Sequence, residues 1–280
     1  MRILLTGRTG QVGWELERSL LAIGDVLATD RQALDLADSE AIRRTVREAK
    51  PEVIVNAAAY TAVDRAEAEP AAAMAINAAA PALLAEEAKR CGALLVHYST
   101  DYVFDGAKRS PYLESDRPVP LNAYGRSKLA GENAVAASGC RYLLLRSSWI
   151  YGPRGKNFFV TIARKASAGE PLRVIADQQG VPTESRFIAQ ITRALIEHRA
   201  EGTIHVVPRG STNWHGFAAA IVQRLGLGVP VEAISAAQYA SATRRPAYSV
   251  LSHEKLASLL GTPPGWEPLL DRCVKAWKPQ

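Results

Sequence analysis

The first twenty residues leave few folds open. Arg2 to Thr6 reads as a short buried strand, Gly7, Gly10 and Gly13 follow at intervals of three, and Trp14 to Leu21 has the pattern of a helix. A strand that passes through a glycine loop into a helix is the opening of a dinucleotide-binding βαβ unit. The glycines let the backbone turn tightly and let a pyrophosphate approach. The helix N-terminus then supplies N–H groups and the positive end of its dipole.

The alternation continues down the chain. Val26 to Asp30 is the second strand, and it ends in an acid. An acid there accepts hydrogen bonds from the adenosine ribose hydroxyls. Asp30 favours NAD, whereas Arg31, or Arg8 in the glycine loop, offers a partner for a 2′-phosphate, so NADH and NADPH both remain open. A helix from about Asp38 to Lys50, capped by Asp38 or Ser39 and stopped by Pro51, leads into the strand Glu52 to Asn56. The small residues that follow, Ala57-Ala58-Ala59-Tyr60-Thr61, let a flat cofactor lie close at the crevice where open parallel sheets bind ligands.

A single helix is predicted from Ala71 to Arg90, ended by Gly92, with Asn77 facing solvent or bracing a neighbour. The strand Ala93 to Tyr98 follows and contains His97, read as a packed histidine. It ends in Ser99-Thr100-Asp101, whose hydroxyls are placed to bond a substrate carbonyl. After a proline-containing loop, a helix carries Tyr124 and Lys128, four residues apart and therefore on one face. A fixed positive charge beside a phenol is expected to lower its pKa toward the range useful for general acid-base catalysis. Arg141 to Arg146 is the next strand. The fold class expected is α/β, a Rossmann-like doubly wound parallel sheet.

Beyond Trp149 the regular alternation stops. Helices are expected over Asn157–Ala168, Ser185–Arg199, Trp214–Leu225 and Glu254–Leu260, and strands over Leu172–Ile175 and Thr203–Val207. The expected division is a dinucleotide-binding domain over residues 1–148 and a smaller α/β substrate domain over 149–280, with some segments interleaved. Cys91, Cys140 and Cys273 fit no zinc or disulfide spacing, and His198, His205, His215 and His253 show no ligand spacing. A reducing, cytoplasmic setting is the simplest expectation, with no signal sequence ahead of the first strand and no membrane span. The net charge of +6 comes from scattered arginines without a basic block, which argues against nucleic acid as a partner.

Gly7-x-x-Gly10-x-x-Gly13, Ala57 to Thr61, Ser99 to Phe104 and Tyr124-x-x-x-Lys128 together resemble the extended short-chain dehydrogenase/reductase family. The likeness is closer to members that reduce dTDP-linked 4-ketosugars. It extends through Ser148 to Gly152, Gly155 to Phe158, Asp177 to Thr183 and Arg245-Pro246, nearly the whole length. The resemblance implies an NADPH- or NADH-dependent reduction of the C4 keto group of dTDP-4-dehydro-L-rhamnose, in cell-surface polysaccharide biosynthesis. Alternatives are a non-catalytic nucleotide-binding regulatory subunit, or a reductase or epimerase of another sugar nucleotide. It implies Thr100, Tyr124 and Lys128 as catalytic residues. It implies cofactor contacts at Gly7, Gly10, Gln11, Val12, Gly13, Asp30, Asp35, Leu36, Ala59, Tyr60, Thr61, Tyr98, Tyr124 and Lys128. Thr100, Asp101, Tyr124, Trp149, Asn157 and Arg245 are implied to meet the dTDP-sugar substrate. Some members dimerise through glutamates around Mg²⁺. Glu15 and Glu267 stand at two of those positions, but Arg186 stands at the third and would repel a cation. No metal, and a monomer or weak homodimer, is therefore expected.

Overall fold

The computed structural model describes residues 1–239 and 243–278. Its centre is a six-stranded sheet in the order β10-β5-β4-β3-β1-β2. These strands are β1 (Arg2–Thr6), β2 (Asp25–Thr29), β3 (Val53–Asn56), β4 (Leu94–Thr100), β5 (Arg141–Ser147) and β10 (Gly202–His205). All pairings within it are parallel. Parallel strands are covered on both faces, which is why their sequences are nearly continuous runs of Val, Ile and Leu.

One face is covered by α1 (Gln11–Leu20) and α8 (Ser185–Glu197), which bring Leu16, Leu20, Phe187, Ile188, Leu195 and Ile196 against Ile3, Leu5, Val55 and Val96. The other face is covered by α2 (Ser39–Ala49), α5 (Ala80–Cys91) and α6 (Ala123–Ala137), through Ile42, Val46, Leu83, Leu84 and Val135 against Leu4, Ile54 and Leu95. Asp38 caps α2 by accepting from the N–H groups of Glu40 and Ala41. Gly92 ends α5 in the left-handed region, at φ 74°.

The predicted single helix over residues 71–90 is in fact broken. α3 (Val63–Ala68) and α4 (Pro70–Met74) lead into a wide π-turn, Ala75–Ala79, before α5. Pro81 has no N–H to give the carbonyl of Asn77, four residues back, so the regular ladder cannot run through. That carbonyl instead faces Gly131 of α6, where an added Cβ would stand 2.0 Å from it.

The second half is not a separate stack. It contributes β10 and α8 to the central sheet and builds a second core beyond the sheet's edge. β6 (Ile150–Tyr151) pairs with β9 (Thr183–Glu184), β7 (Leu172–Ile175) with β12 (Val231–Ile234), and β8 (Gln179–Gly180) with β11 (Thr212–Asn213). Around these pack α7 (Phe158–Ser167), α9 (Trp214–Arg224) and α11 (Trp266–Ala276), joined through Tyr151, Phe159, Phe217 and Leu270. α10 (Glu254–Leu260) returns to the sheet and buries Leu256 there. The strands β6, β8, β9, β11 and β12 and the helices α3 and α11 are additions to the elements expected from sequence.

Candidate active site

Chain order reverses between β1 and β3, and the ligand crevice of an open parallel sheet lies at that point, outside the carboxyl ends of the strands. Gly7 is left-handed there, at φ 76°, and a Cβ on it would stand 2.7 Å from the Ala58 nitrogen. A Cβ on Gly13 would stand 2.0 Å from the Gly7 carbonyl oxygen. The glycine loop and the alanines after β3 therefore touch backbone to backbone. Gly10 is the N-cap of α1 and no side chain caps that terminus, which leaves the first-turn N–H groups of Gln11 and Val12 in the form that can hold an anion. This cradle fits a dinucleotide pyrophosphate.

The other residues expected at the cofactor divide by what already holds them. The Asp30 carboxylate, at the end of β2, accepts from the N–H groups of Gln32 and Ala33. Asp35 accepts from Ala37 and lies 3.6 Å from the Arg31 guanidinium. Leu36 is buried in the core beside Ile42, so only its backbone can meet a ligand. Ala59 and Tyr60 are half-buried and Thr61 is exposed, just beyond β3. Asn77, on the π-turn, grips this loop: its Oδ1 accepts from the Tyr60 N–H and its Nδ2 donates to the Tyr60 carbonyl. Nδ2 also donates to Ser127 Oγ, whose own hydroxyl donates to the Tyr124 carbonyl. One side chain thus ties the loop after β3 to α6.

Asn122 caps α6 by accepting from the Gly125 N–H, and Gly125 lets the helix press against Tyr102, whose carbonyl a Cβ would meet at 2.2 Å. This close seat sets Tyr124 beside the end of β4. Its phenol lies within the reach of Thr100, and its ring meets Tyr102 edge-on at 5.7 Å. Thr100 donates to Asp101 Oδ1 at 3.0 Å. Asp101 is buried, its Oδ2 has no partner among the described residues, and burial pushes its carboxyl up to about 6 against the opposing influence of Ser249 and Thr100. Desolvation raises the Tyr124 phenol well above its ordinary value.

The expectation that Lys128 lowers that phenol is not met in this state. Lys128 reaches past Tyr124 to the strand, where its Nζ donates to the Tyr98 carbonyl at 2.6 Å. The groups acting on the phenol are Thr100, Asp101 and Tyr102. Lys128 is buried and brought down to about 8, desolvation outweighing the opposing pull of Glu132. The Tyr98 side chain points the other way, its hydroxyl 2.7 Å from Thr192 on α8, so Tyr98 meets Lys128 through its carbonyl.

Trp149 stands at φ 46°, a left-handed backbone that is rare for a bulky residue and marks a constrained site. Its ring stacks on Trp214 at 3.6 Å and 7°, and Gly180 lies under it, where a Cβ would be 2.3 Å from the indole. Trp214 and Gly180, which pack on Trp149, are residues that sequence reasoning did not bring to the site, and nothing in their spacing marks them. Asn157 is wholly engaged: it caps α7 through the Val160 N–H and donates to the carbonyls of Gly152 and Arg154. The structure uses it to shape the 152–158 turn. Arg245 does come to the site, bonding Asp64 at 2.7 Å and reaching Tyr102 beside Tyr124.

Glu15 lies among Arg186, Glu184, Arg18 and Arg272, and Glu184 is already held by Arg272. With Arg186 acting directly on Glu15, this donor set does not fit a divalent cation. Among the described residues no group of His, Cys, Asp and Glu has metal-binding form.

Comparison with known proteins agrees with this geometry. The RmlD substrate binding domain family matches residues 1–278. A dTDP-4-dehydrorhamnose reductase of Burkholderia thailandensis is 47% identical, with 98% of each chain covered. That of Escherichia coli is 42% identical, over 91% of this chain and 90% of its own. A crystal structure of dTDP-4-dehydrorhamnose reductase from Bacillus anthracis in complex with NADP superposes with a TM-score of 0.95 at 36% identity, covering 98% of this chain and 99% of that one. With a dinucleotide cradle, a Thr-Tyr-Lys set and end-to-end similarity of this kind, the chain belongs to the dTDP-4-dehydrorhamnose reductase family.

Proposed function

We infer that the chain is an oxidoreductase that reduces the C4 keto group of dTDP-4-dehydro-L-rhamnose to give dTDP-L-rhamnose, using NADPH or NADH. The observation that carries the reading is the buried Tyr124 phenol set beside Thr100 at the carboxyl end of β4, with Lys128 one turn further along the same helix. The bound cofactor supplies hydride to C4. Tyr124 gives its phenolic proton to the carbonyl oxygen, so that ketone, hydride and proton sum to the alcohol. A phenol held above its ordinary pKa by burial is fully protonated at neutral pH and starts the reaction as an acid. Thr100 bonds the same oxygen, an interaction that strengthens as charge develops there. Trp149, backed by Trp214, offers an apolar face to the sugar. The uncapped start of α1 receives the cofactor phosphates, and Lys128 holds the nicotinamide ribose.

The test is oxidation of NADPH and of NADH against a panel of dTDP- and UDP-linked 4-ketosugars. Turnover highest with the dTDP-4-keto-6-deoxyhexose supports the reading, and no turnover with any of them overturns it. Tyr124→Phe is expected to lower kcat by about 10²- to 10⁴-fold with an unchanged melting temperature, and undiminished turnover removes Tyr124 from the mechanism.

We place the enzyme in the cytoplasm as a monomer or weak homodimer. Its three cysteines are free, no helix among the described residues is long and apolar enough to cross a membrane, and the Arg186 charge acts directly on Glu15. Sedimentation with and without Mg²⁺ tests the assembly: a tight dimer formed only with Mg²⁺ refutes it.

A further inference from the structure

A line of buried polar side chains runs behind Lys128. Thr6 Oγ1 donates to Asn56 Oδ1 at 2.7 Å, Asn56 Nδ2 stands 3.2 Å from His97 Nδ1, and His97 Nε2 stands 3.4 Å from Lys128 Nζ. Thr6, Asn56 and His97 are register partners on adjacent strands, so the line follows one rung of the sheet and meets α6 at its end. Each of the four is at most 2% exposed. A buried polar atom is costly unless it is paired, and an aliphatic side chain would fill this part of the core without that cost.

The chemistry of the line links its members. Burial holds His97 neutral, so one ring nitrogen carries a hydrogen and the other a lone pair. A charged Lys128 has only donors and needs the lone pair on Nε2. The hydrogen is then on Nδ1, and the Asn56 amide must present its oxygen to the ring. With the amide nitrogen toward the ring, Nε2 carries the hydrogen and Lys128 must be the uncharged amine. An Nε2 hydrogen and a charged Lys128 exclude each other, so amide orientation and ring tautomer together limit the lysine charge, and the Tyr98 carbonyl accepts from Lys128 in either state.

We propose that His97 is a positioning residue for Lys128: with Asn56 and Thr6 it fixes the direction of the amine and, through its tautomer, the protonation state in which that amine works. The role in turnover rests on the reductase reading. Lys128 is the charge acting on His97. Glu132, one turn further along α6, is the charge acting on Lys128, and it is held by Arg146 of β5.

Side-chain length separates this role from core filling. Asn places its amide near the position of Nδ1 and keeps the Asn56 link. Gln places its amide near Nε2 and keeps the Lys128 link. In the full-length protein, His97→Asn is expected to lower kcat about tenfold through lost orientation at the reacting centre, and to move the alkaline limb of the kcat–pH profile. His97→Gln is expected to stay near wild type in both. In the free protein, nitrogen NMR of Lys128 is expected to show its titration displaced in His97→Asn and restored in His97→Gln. Equal losses in the two variants, or a wild-type profile in His97→Leu, overturn the proposal. If a His97 variant does not fold, Asn56→Leu decides, since it leaves the imidazole in place: an unmoved Lys128 titration refutes the linkage. If the wild-type enzyme reduces no ketosugar, the reductase reading falls, and the Lys128 titration still decides the role of His97.

Discussion

Gly131 is where α6 presses backbone to backbone on the π-turn at Ala75–Ala79. A methyl group there would stand 2.0 Å from the Asn77 carbonyl oxygen and 3.2 Å from its carbon. Ordinary contact begins at 3.4 Å, so α6 and the π-turn must separate by more than 1 Å. Neither side can give by rotating a side chain, because the clash is with backbone. Asn77 is moreover fixed to Tyr60 on one side and Ser127 on the other. In an open helix, Gly131→Ala would gain about 1 kcal/mol from helix propensity. Overpacking of a filled core costs about 1–3 kcal/mol, more where backbone must move. The clash wins, with a net loss of about 2 kcal/mol and a melting temperature lower by about 4–8 °C. The functional cost is larger, since a displacement of about 1 Å at reacting groups costs about 10²-fold in rate. Thermal unfolding and cofactor oxidation measure the two effects. Gly228→Ala is the control, because nothing lies within 4 Å of a Cβ there, and it should be neutral. A Gly131→Ala enzyme that melts at or above wild type with full turnover would refute the claim that this backbone contact sets the geometry of the site.

Three further outcomes follow from the same geometry. Gly180→Ala drives a methyl into the Trp149 indole and should raise KM for the ketosugar more than it lowers kcat, measured by steady-state kinetics. Asp101 has a folded pKa of about 6 against an ordinary 3.8, so the folded state is penalised once pH rises above the unfolded value, fully so at pH 7, by at most about 3 kcal/mol. Asp101→Asn should therefore raise the melting temperature at pH 7, with the gain vanishing below about pH 4 where both states hold the proton; a gain independent of pH counts against this account. Arg146→Leu leaves Glu132 buried without its guanidinium, which it now meets at 2.9 and 2.6 Å, and should cost about 3–5 kcal/mol by denaturant unfolding.

Much of this was legible in the sequence because local chemistry and global fold agree in the first half. The glycine loop, the parallel strands and the Tyr124–Lys128 spacing each carry their own signal, and the structure puts them at one crevice. The break in the helix over residues 71–90 was missed although Pro81 announces it, because alanine propensity dominates the surrounding window. The Lys128 amine was assigned to the phenol from helix periodicity alone; periodicity gives the face, but not how far a long side chain reaches beyond it. His97 was read as packing for the same reason, since no spacing reveals that a strand rung aligns it with Asn56 and Thr6. Asn157 shows the converse: a polar residue in a likeness-bearing stretch whose hydrogen bonds are all spent on its own turn. The Trp149–Trp214 stack joins residues 65 positions apart, and no local pattern encodes it.

The late arrival of α8 and β10 has a consequence for biosynthesis. Ile3 and Leu5 leave the ribosome nearly two hundred residues before Ile188, Leu195 and Ile196 exist to shelter them. At about 5–20 residues per second, that side of the nascent sheet has only α1 over it for roughly 10–40 s, and the outer edge of β5 waits roughly 3–12 s for β10. A fragment ending at residue 148 never leaves that condition. It presents an open strand edge and a greasy face to the cell, a substrate for chaperones or aggregation, so the half that carries the nucleotide cradle depends on its sequel to become soluble.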